Sequence, residues 1–167
     1  QIDIAQRGFS FNKSGPLDMR MGSSNKNAYD IVNKYEEKNL ADIIYHYGEE
    51  RYSRVIAKEI VKNRKIKFIN NTLELSNIIR KCLPKKNQYK NKIHPATKTF
   101  QAIRIYVNDE LNELESSLKQ TLKILNKDGL ILVVSFQSLE DRIVKDFFNH
   151  SSGKRWRSSR HYPELPD

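Results

Sequence analysis

The sequence predicts an α/β protein in which a small all-helical module precedes an incomplete parallel sheet. Three observations carry this reading. Apolar residues recur every three or four positions over most of residues 29–83 and again from Phe100 to Leu125, the period of amphipathic helices. Leu130 to Val134 reads LILVV, apolar at every position, as expected of a strand buried on both faces of a parallel sheet. That run lies between two helical stretches, which makes a helix–strand–helix crossover, and one strand is no sheet.

Residues 1–21 have neither a helical nor a strand period. Gly8, Ser14-Gly15 and Pro16 punctuate them as an ordered loop, and Phe9, Phe11, Leu17, Met19 and Met21 give that loop an apolar side to pack. Arg7 and Arg20 can bind phosphate or pair with Asp3 and Asp18, and the residue types leave both open. Residues 22–93 read as the helical module. Ile31, Val32 and Tyr35 mark a first helix, and Ile43, Ile44 and Tyr47 a second that Gly48 stops. Glu49 to Lys65 forms a third around Tyr52, Val55, Ile56, Ile60 and Val61, with basic residues spread round the rest. Asn71 and Glu74 resemble a capping box opening a fourth, which Pro84 ends. Lys85, Lys86, Lys90 and Lys92 then make a basic loop.

Residues 94–150 return to the strand-bearing part. Pro95 suits a first helical turn, and Phe100, Ile103, Val107, Leu111, Leu114, Leu118, Leu122 and Leu125 predict one continuous helix. Its first turns carry Lys98, Gln101, Arg104 and Asn108, polar groups of the kind that meet a phosphate or a base. The plainer alternative is a solvated helix face. Asn126 to Gly129 is a turn before the LILVV strand, and Ser138 is the expected N-cap of the following helix, with Glu140 and Asp141 in its first turn. Ligands of open parallel sheets bind at the carboxyl ends of strands, which puts Ser135 to Arg142 on the functional rim. Ser138, Asp141 and Arg142 are equally explained as a cap and a surface ion pair. Residues 151–167 have no period and read as a disordered tail.

Charge is concentrated. The net charge is +10, yet residues 1–50 hold six Lys/Arg against eight Asp/Glu, and residues 93–150 hold seven against eight. Residues 51–92 hold thirteen against two. One basic block of this kind is the footprint of a nucleic-acid-binding surface, and a composition biased toward lysine throughout would not spare the flanking regions. The single cysteine, Cys82, allows no internal disulfide and fits a reducing compartment. No apolar run approaches the roughly 20 residues that span a bilayer, so the chain reads as cytoplasmic, without a membrane partner. No Cys/His/Asp spacing suggests a metal, and none is assigned.

Five strings carry a resemblance: RGFSF (Arg7–Phe11), GPLDMRM (Gly15–Met21), YGEER (Tyr47–Arg51), HPATKTFQAIRIYVNDEL (His94–Leu111) and SFQSLEDRIVK (Ser135–Lys145). In order and spacing they resemble the bacterial 16S rRNA cytosine-N4 methyltransferase family, over residues 1 to about 150. The resemblance implies a Rossmann-like methyltransferase core with an inserted helical substrate-recognition domain, S-adenosylmethionine as cofactor, and small-subunit ribosomal RNA or the small ribosomal subunit as partner. It further implies that the glycine-rich cofactor loop and the ribose-binding acid lie upstream of Gln1, and that this piece alone is inactive. Gln1 matches a position that contacts S-adenosylmethionine. Arg7, Arg20, Arg51, Lys98, Arg104, Asn108, Ser138 and Arg142 fall in the motifs expected to border the RNA substrate, and no catalytic residue is assigned. Gln137 departs from the histidine usual in the family, and only histidine titrates near neutral pH. The reading from another class is a non-catalytic RNA-binding helical module or the product of a decayed gene. An upstream reading frame with a glycine-rich loop separates the two. Oligomeric state is not legible.

Overall fold

A computed structural model describes residues 5–22, 25–84 and 94–153. It divides into two compact units, residues 1–108 and 109–167. The expected boundary at residue 94 lies one helix earlier than this division.

The first unit is helical, entered by a 3-10 turn at Ala5–Arg7. Helices α1 (Ala28–Lys34), α2 (Glu37–Gly48), α3 (Ser53–Ile66), α4 (Thr72–Cys82) and α5 (Thr97–Asn108) follow. Their apolar stripes meet in one core. Ile31, Ile44, Ile56, Ile60, Leu75 and Ile79 are completely buried, and Ile103 joins them from α5. Each such side chain contributes about 1.5–3 kcal/mol through the area it removes from water. Because α5 lays Phe100, Ile103 and Val107 into this core against α2, it belongs with the helices before it.

Local signals set the helix ends. Asn27 caps α1 by accepting the Asp30 N–H at 2.8 Å. Asn71 caps α4 by accepting the Glu74 N–H at 2.9 Å, while Glu74 reaches back to the N–H of Asn70 at 2.8 Å. The expected capping box is thus present, with its return bond one residue earlier than the standard form. Arg64 closes the other end of α1, donating to the Val32 carbonyl at 2.7 Å and to that of Tyr35. Burial holds its guanidinium below the ordinary arginine range.

One expectation in residues 94–150 is corrected, and a second is not met among the described residues. The stripe from Phe100 to Leu125 is not one helix. Asp109 takes a left-handed conformation (φ 52°, ψ 35°) that ends α5, and α6 (Glu110–Ile124) starts afresh. Side-chain periodicity cannot register a one-residue break that keeps the stripe nearly in phase. The LILVV run is not seen paired as a strand: the described residues contain no strand, and Leu130, Leu132, Val134 and Phe136 are 71–94% exposed. A strand needs a partner to bond with, and none is present among the described residues. The residues between them, Ile131, Val133 and Ser135, are half-buried, so exposure alternates with period two. Helix α7 (Ser138–Ser151) completes the second unit and packs on α6, with Leu118, Leu122, Ile143 and Phe147 lining the groove they share. Residue 137, not Ser138, is the N-cap, and its side chain makes no capping bond. Residues 154–167 of the expected tail lie outside the described residues, as do Lys85, Lys86, Lys90 and Lys92.

Candidate functional site

The loop Arg7–Met21 is closed on itself and tied to α4 and α5. Gly8 has φ +74°, and a Cβ there would sit 1.9 Å from the Pro16 carbonyl oxygen, so only glycine lets the two passes of the loop approach. Met19 donates to the Arg7 carbonyl at 3.0 Å, and the Arg7 guanidinium donates to the carbonyls of Arg20 and Met21 at 3.3 and 3.4 Å. Toward α4, Gly15 donates to the Thr72 hydroxyl at 3.1 Å, and that hydroxyl donates to the Lys13 carbonyl at 2.6 Å. Toward α5, Asn108 accepts the Met21 N–H at 2.6 Å and donates to the Met19 carbonyl at 2.8 Å. Met19 is fully buried with φ 60°, a left-handed conformation that costs about 1–2 kcal/mol. The buried side chain and the Asn108 bond offset it.

Arg20 pairs with Asp18 through two bonds, Nε to Oδ1 at 2.5 Å and Nη2 to Oδ2 at 3.0 Å. The hydrogen bonds and charge of Arg20 hold the Asp18 carboxyl below its ordinary range, and Asp18 raises the Arg20 guanidinium. Of the two roles open to these arginines, Arg20 is seen in its ion pair and Arg7 in backbone bonds.

YGEER turns the chain from α2 into α3. A Cβ on Gly48 would lie 2.5 Å from the Lys98 carbonyl oxygen, so α2 crosses α5 at backbone distance. Glu49 takes the left-handed position after the helix, and its carbonyl accepts the Lys98 ammonium at 3.0 Å, a cation at a helix carboxyl end. Glu50 is buried and accepts the Tyr52 N–H at 2.9 Å, which starts α3 and leaves Arg51 exposed. Nearby, Tyr106 of α5 meets Tyr35 edge-on at 6.0 Å and Tyr47 at 5.8 Å, with the Lys26 ammonium 4.9 Å above its ring. The Tyr35 phenol, hydrogen-bonded to Tyr106, is pushed up to about 12.

The basic block has an order that the sequence reading missed. On α3 the residues turned inward are Ser53, Ile56, Ala57 and Ile60. Arg54, Lys58, Lys62 and Lys65 stand at i, i+4, i+8 and i+11, one continuous stripe opposite that face, and all four are exposed. They are not spread round the helix, and the spacing itself could have shown this.

Of the residues singled out in the sequence, Arg7, Arg20, Arg51, Lys98, Arg104 and Asn108 belong to the first unit, and Ser138 and Arg142, both exposed on α7, to the second. Loop closure brings Arg7, Arg20 and Asn108 together, and Lys98 joins the YGEER turn. Gln1 lies outside the described residues. His94 stacks on Phe11 at 4.5 Å, and its Nδ1 accepts the Ala96 N–H at 3.2 Å, a packing role. Among the described residues no group of three or more His, Cys, Asp or Glu is placed to hold a metal, and no helix is long and apolar enough to cross a membrane.

The model of the MraW methylase family matches residues 1–160. The chain belongs to that family. Curated relatives agree: it is 54% identical over 166 residues to the ribosomal RNA small subunit methyltransferase H of Rickettsia canadensis, covering 99% of this chain and 53% of that protein. To the protein of the same name from Rickettsia africae it is 58% identical over 154 residues, covering 92% of this chain and 49% of the relative. The chain therefore spans about half the length of the curated relatives it matches. Membership in the MraW methylase family implies a methyltransferase fold, of which the described residues contain only helical parts.

Proposed function

We propose that this chain is part of an S-adenosylmethionine-dependent methyltransferase that methylates the exocyclic N4 of a cytosine in small-subunit ribosomal RNA, acting in the cytoplasm on the RNA or the small subunit. One observation carries the RNA-binding half of this reading. The Arg54–Lys58–Lys62–Lys65 stripe puts a row of cations on an exposed helix face, and rows of this kind neutralise phosphates. Family membership and the names of the relatives support methyl transfer to small-subunit ribosomal RNA, and the resemblance of the sequence motifs carries the choice of cytosine N4.

In this reading the exposed Leu130–Phe136 segment is an inner strand of a Rossmann-like sheet, and Ser138 and Arg142 follow its carboxyl end. The N4 amino group is a weak nucleophile because its lone pair is delocalised into the ring, so catalysis rests on unstacking the base and holding it in line with the methyl group. In the loop the Met19 N–H is engaged by the Arg7 carbonyl and the Met21 N–H by Asn108, and Gln1, the position matched to the cofactor, lies outside the described residues. What they supply is a positioned loop and a charged helix face.

The test compares the purified 167-residue chain with a longer protein that adds the remaining half of its relatives' length. Each is incubated with radiolabelled S-adenosylmethionine and immature small subunits. Transfer to one cytosine N4 by the longer protein and none by the chain alone is expected. No transfer by the longer protein sinks the methyltransferase reading and leaves a non-catalytic RNA-binding module.

A further inference from the structure

The first unit carries a second surface feature, distinct from the α3 stripe. A cleft of about 340 Å³ opens between α3 and α4, lined by Ile66, Phe68, Asn63, Asn77, Lys67 and Lys81 together with Glu59 and Glu74. Ile66 and Phe68 are 84% and 57% exposed. A single exposed apolar side chain needs no explanation, but Ile66 ends α3 and Phe68 follows it on a connector fixed on both sides. The buried amide of Asn33 donates to the Ile69 carbonyl and accepts the Ile69 N–H, both at 2.9 Å. Lys67 N–H bonds to the Asn63 carbonyl at 3.2 Å, and the Asn70 N–H to Glu74 at 2.8 Å. The Phe68 ring is propped edge-on by Tyr29 at 6.4 Å. Phe68 is therefore presented outward by a rigid frame.

We propose that this cleft takes one unstacked nucleotide of a single-stranded RNA, with Phe68 as the surface on which its base stacks. The inference rests on the RNA-binding reading above. Charge selects the occupant. Lys67 and Lys81 border the cleft, and Lys62 and Lys65 precede it on α3, all exposed, so the approach favours a polyanion. Inside the cleft the polarity reverses: Glu59 and Glu74, each with one carboxylate oxygen bonded to Asn63 or to the Asn70 N–H, disfavour a phosphate there and have a second oxygen to accept from a base bearing an exocyclic amino group. The base enters and the phosphates remain outside on the lysines. The volume stands at the small end of ligand pockets and suits one base, not a folded partner. Single strands are recognised by aromatic faces among cations, whereas a duplex keeps its bases stacked and inaccessible.

The test is fluorescence anisotropy of the full chain with a labelled single-stranded oligoribonucleotide of mixed sequence and with the same sequence as a duplex. Phe68→Ala should weaken single-strand binding about tenfold, the loss of one stacked base, with the salt dependence and the duplex affinity unchanged. Phe68→Tyr should bind as the parent does, and Phe68→Leu, which keeps bulk without a ring, should bind as Phe68→Ala does. If Phe68→Ala proves unstable, the Tyr and Leu pair decides alone. Unchanged single-strand affinity in Phe68→Ala and Phe68→Leu, or an equal loss on duplex, overturns the cleft while the RNA reading stands. A parent chain without salt-dependent RNA binding overturns the RNA reading and the cleft with it.

Discussion

Asn108, the last residue of α5, is bonded through both ends of its amide to the loop that carries Met19, accepting from Met21 at 2.6 Å and donating to the Met19 carbonyl at 2.8 Å. It also donates to the Arg104 carbonyl at 2.9 Å. The side chain fastens a strained loop to the helical core. Replacing Asn108 with Ala should cost about 1–3 kcal/mol, because the buried Met19 loses the bond that holds its left-handed backbone. Thermal unfolding should show this, and methyl transfer by the longer protein should fall in step with stability. A variant that melts like the parent but transfers slowly would instead make Asn108 a contact to substrate.

Arg142 should behave in the opposite way. It is exposed on α7 in the segment proposed to border the substrate. In the longer protein Arg142→Ala should lower the transfer rate tenfold or more, about 1.4 kcal/mol of barrier, with the melting temperature little changed. Parallel loss of both would make it scaffold.

Gly48→Ala decides between two opposed effects. Alanine gains about 1 kcal/mol of helix propensity over glycine. Its Cβ, however, would lie 2.5 Å from the Lys98 carbonyl oxygen and 3.1 Å from the Ala102 Cβ, and backbone cannot yield as a flexible side chain does. The clash wins, with a net loss of about 1–3 kcal/mol and a lower denaturant midpoint. A variant more stable than the parent would refute the close crossing of α2 and α5.

The α3 stripe predicts a salt dependence. Changing Arg54, Lys58, Lys62 and Lys65 together to Gln should flatten log K against log salt on single-stranded RNA, by up to about 0.7 for each phosphate no longer neutralised. Stability should hold, since all four are exposed. An unaltered slope would mean that the stripe is merely solvated.

His94 predicts a pH effect of definite sign. Burial, and then the charge of Arg80, hold its imidazole below the ordinary value of 6.5. The unfolded chain therefore takes up a proton first as pH falls, and His94 contributes stability above about 6.5 that is lost on acidification through the lower folded value. Melting temperature should decline from that point downward, and His94→Gln should remove this part of the decline. Asp18, held below 3.8 by Arg20, acts the same way at still lower pH and does not overlap this window.

Much of the first unit was legible because its signals are local. Asn71 before Glu74 marks a cap, Gly48 marks the end of α2, and the isoleucines of α3 and α4 mark inward faces. What escaped depends on a single backbone angle or on distant partners. Asp109 breaks the helix without disturbing its stripe, and the LILVV run has the composition of a strand but no neighbour among the described residues. The tie from Asn108 to Met19 joins residues 89 positions apart, and no sequence period records such a bond. The motifs singled out Arg7, Lys98 and Asn108, and only the packing revealed that all three bond to backbone carbonyls.

The alternating exposure of Leu130 to Phe136 has a consequence for handling the polypeptide. Seven residues of high β-propensity, with no charge and no proline, are the composition of an amyloid-forming stretch, and four of the side chains face water. Lys127 and Asp128 stand just before it, and Glu140 and Asp141 just after it. Such flanking charges act as gatekeepers, raising the cost of stacking identical segments in register. During synthesis this stretch is a window of vulnerability, closed only when another strand or a chaperone covers it.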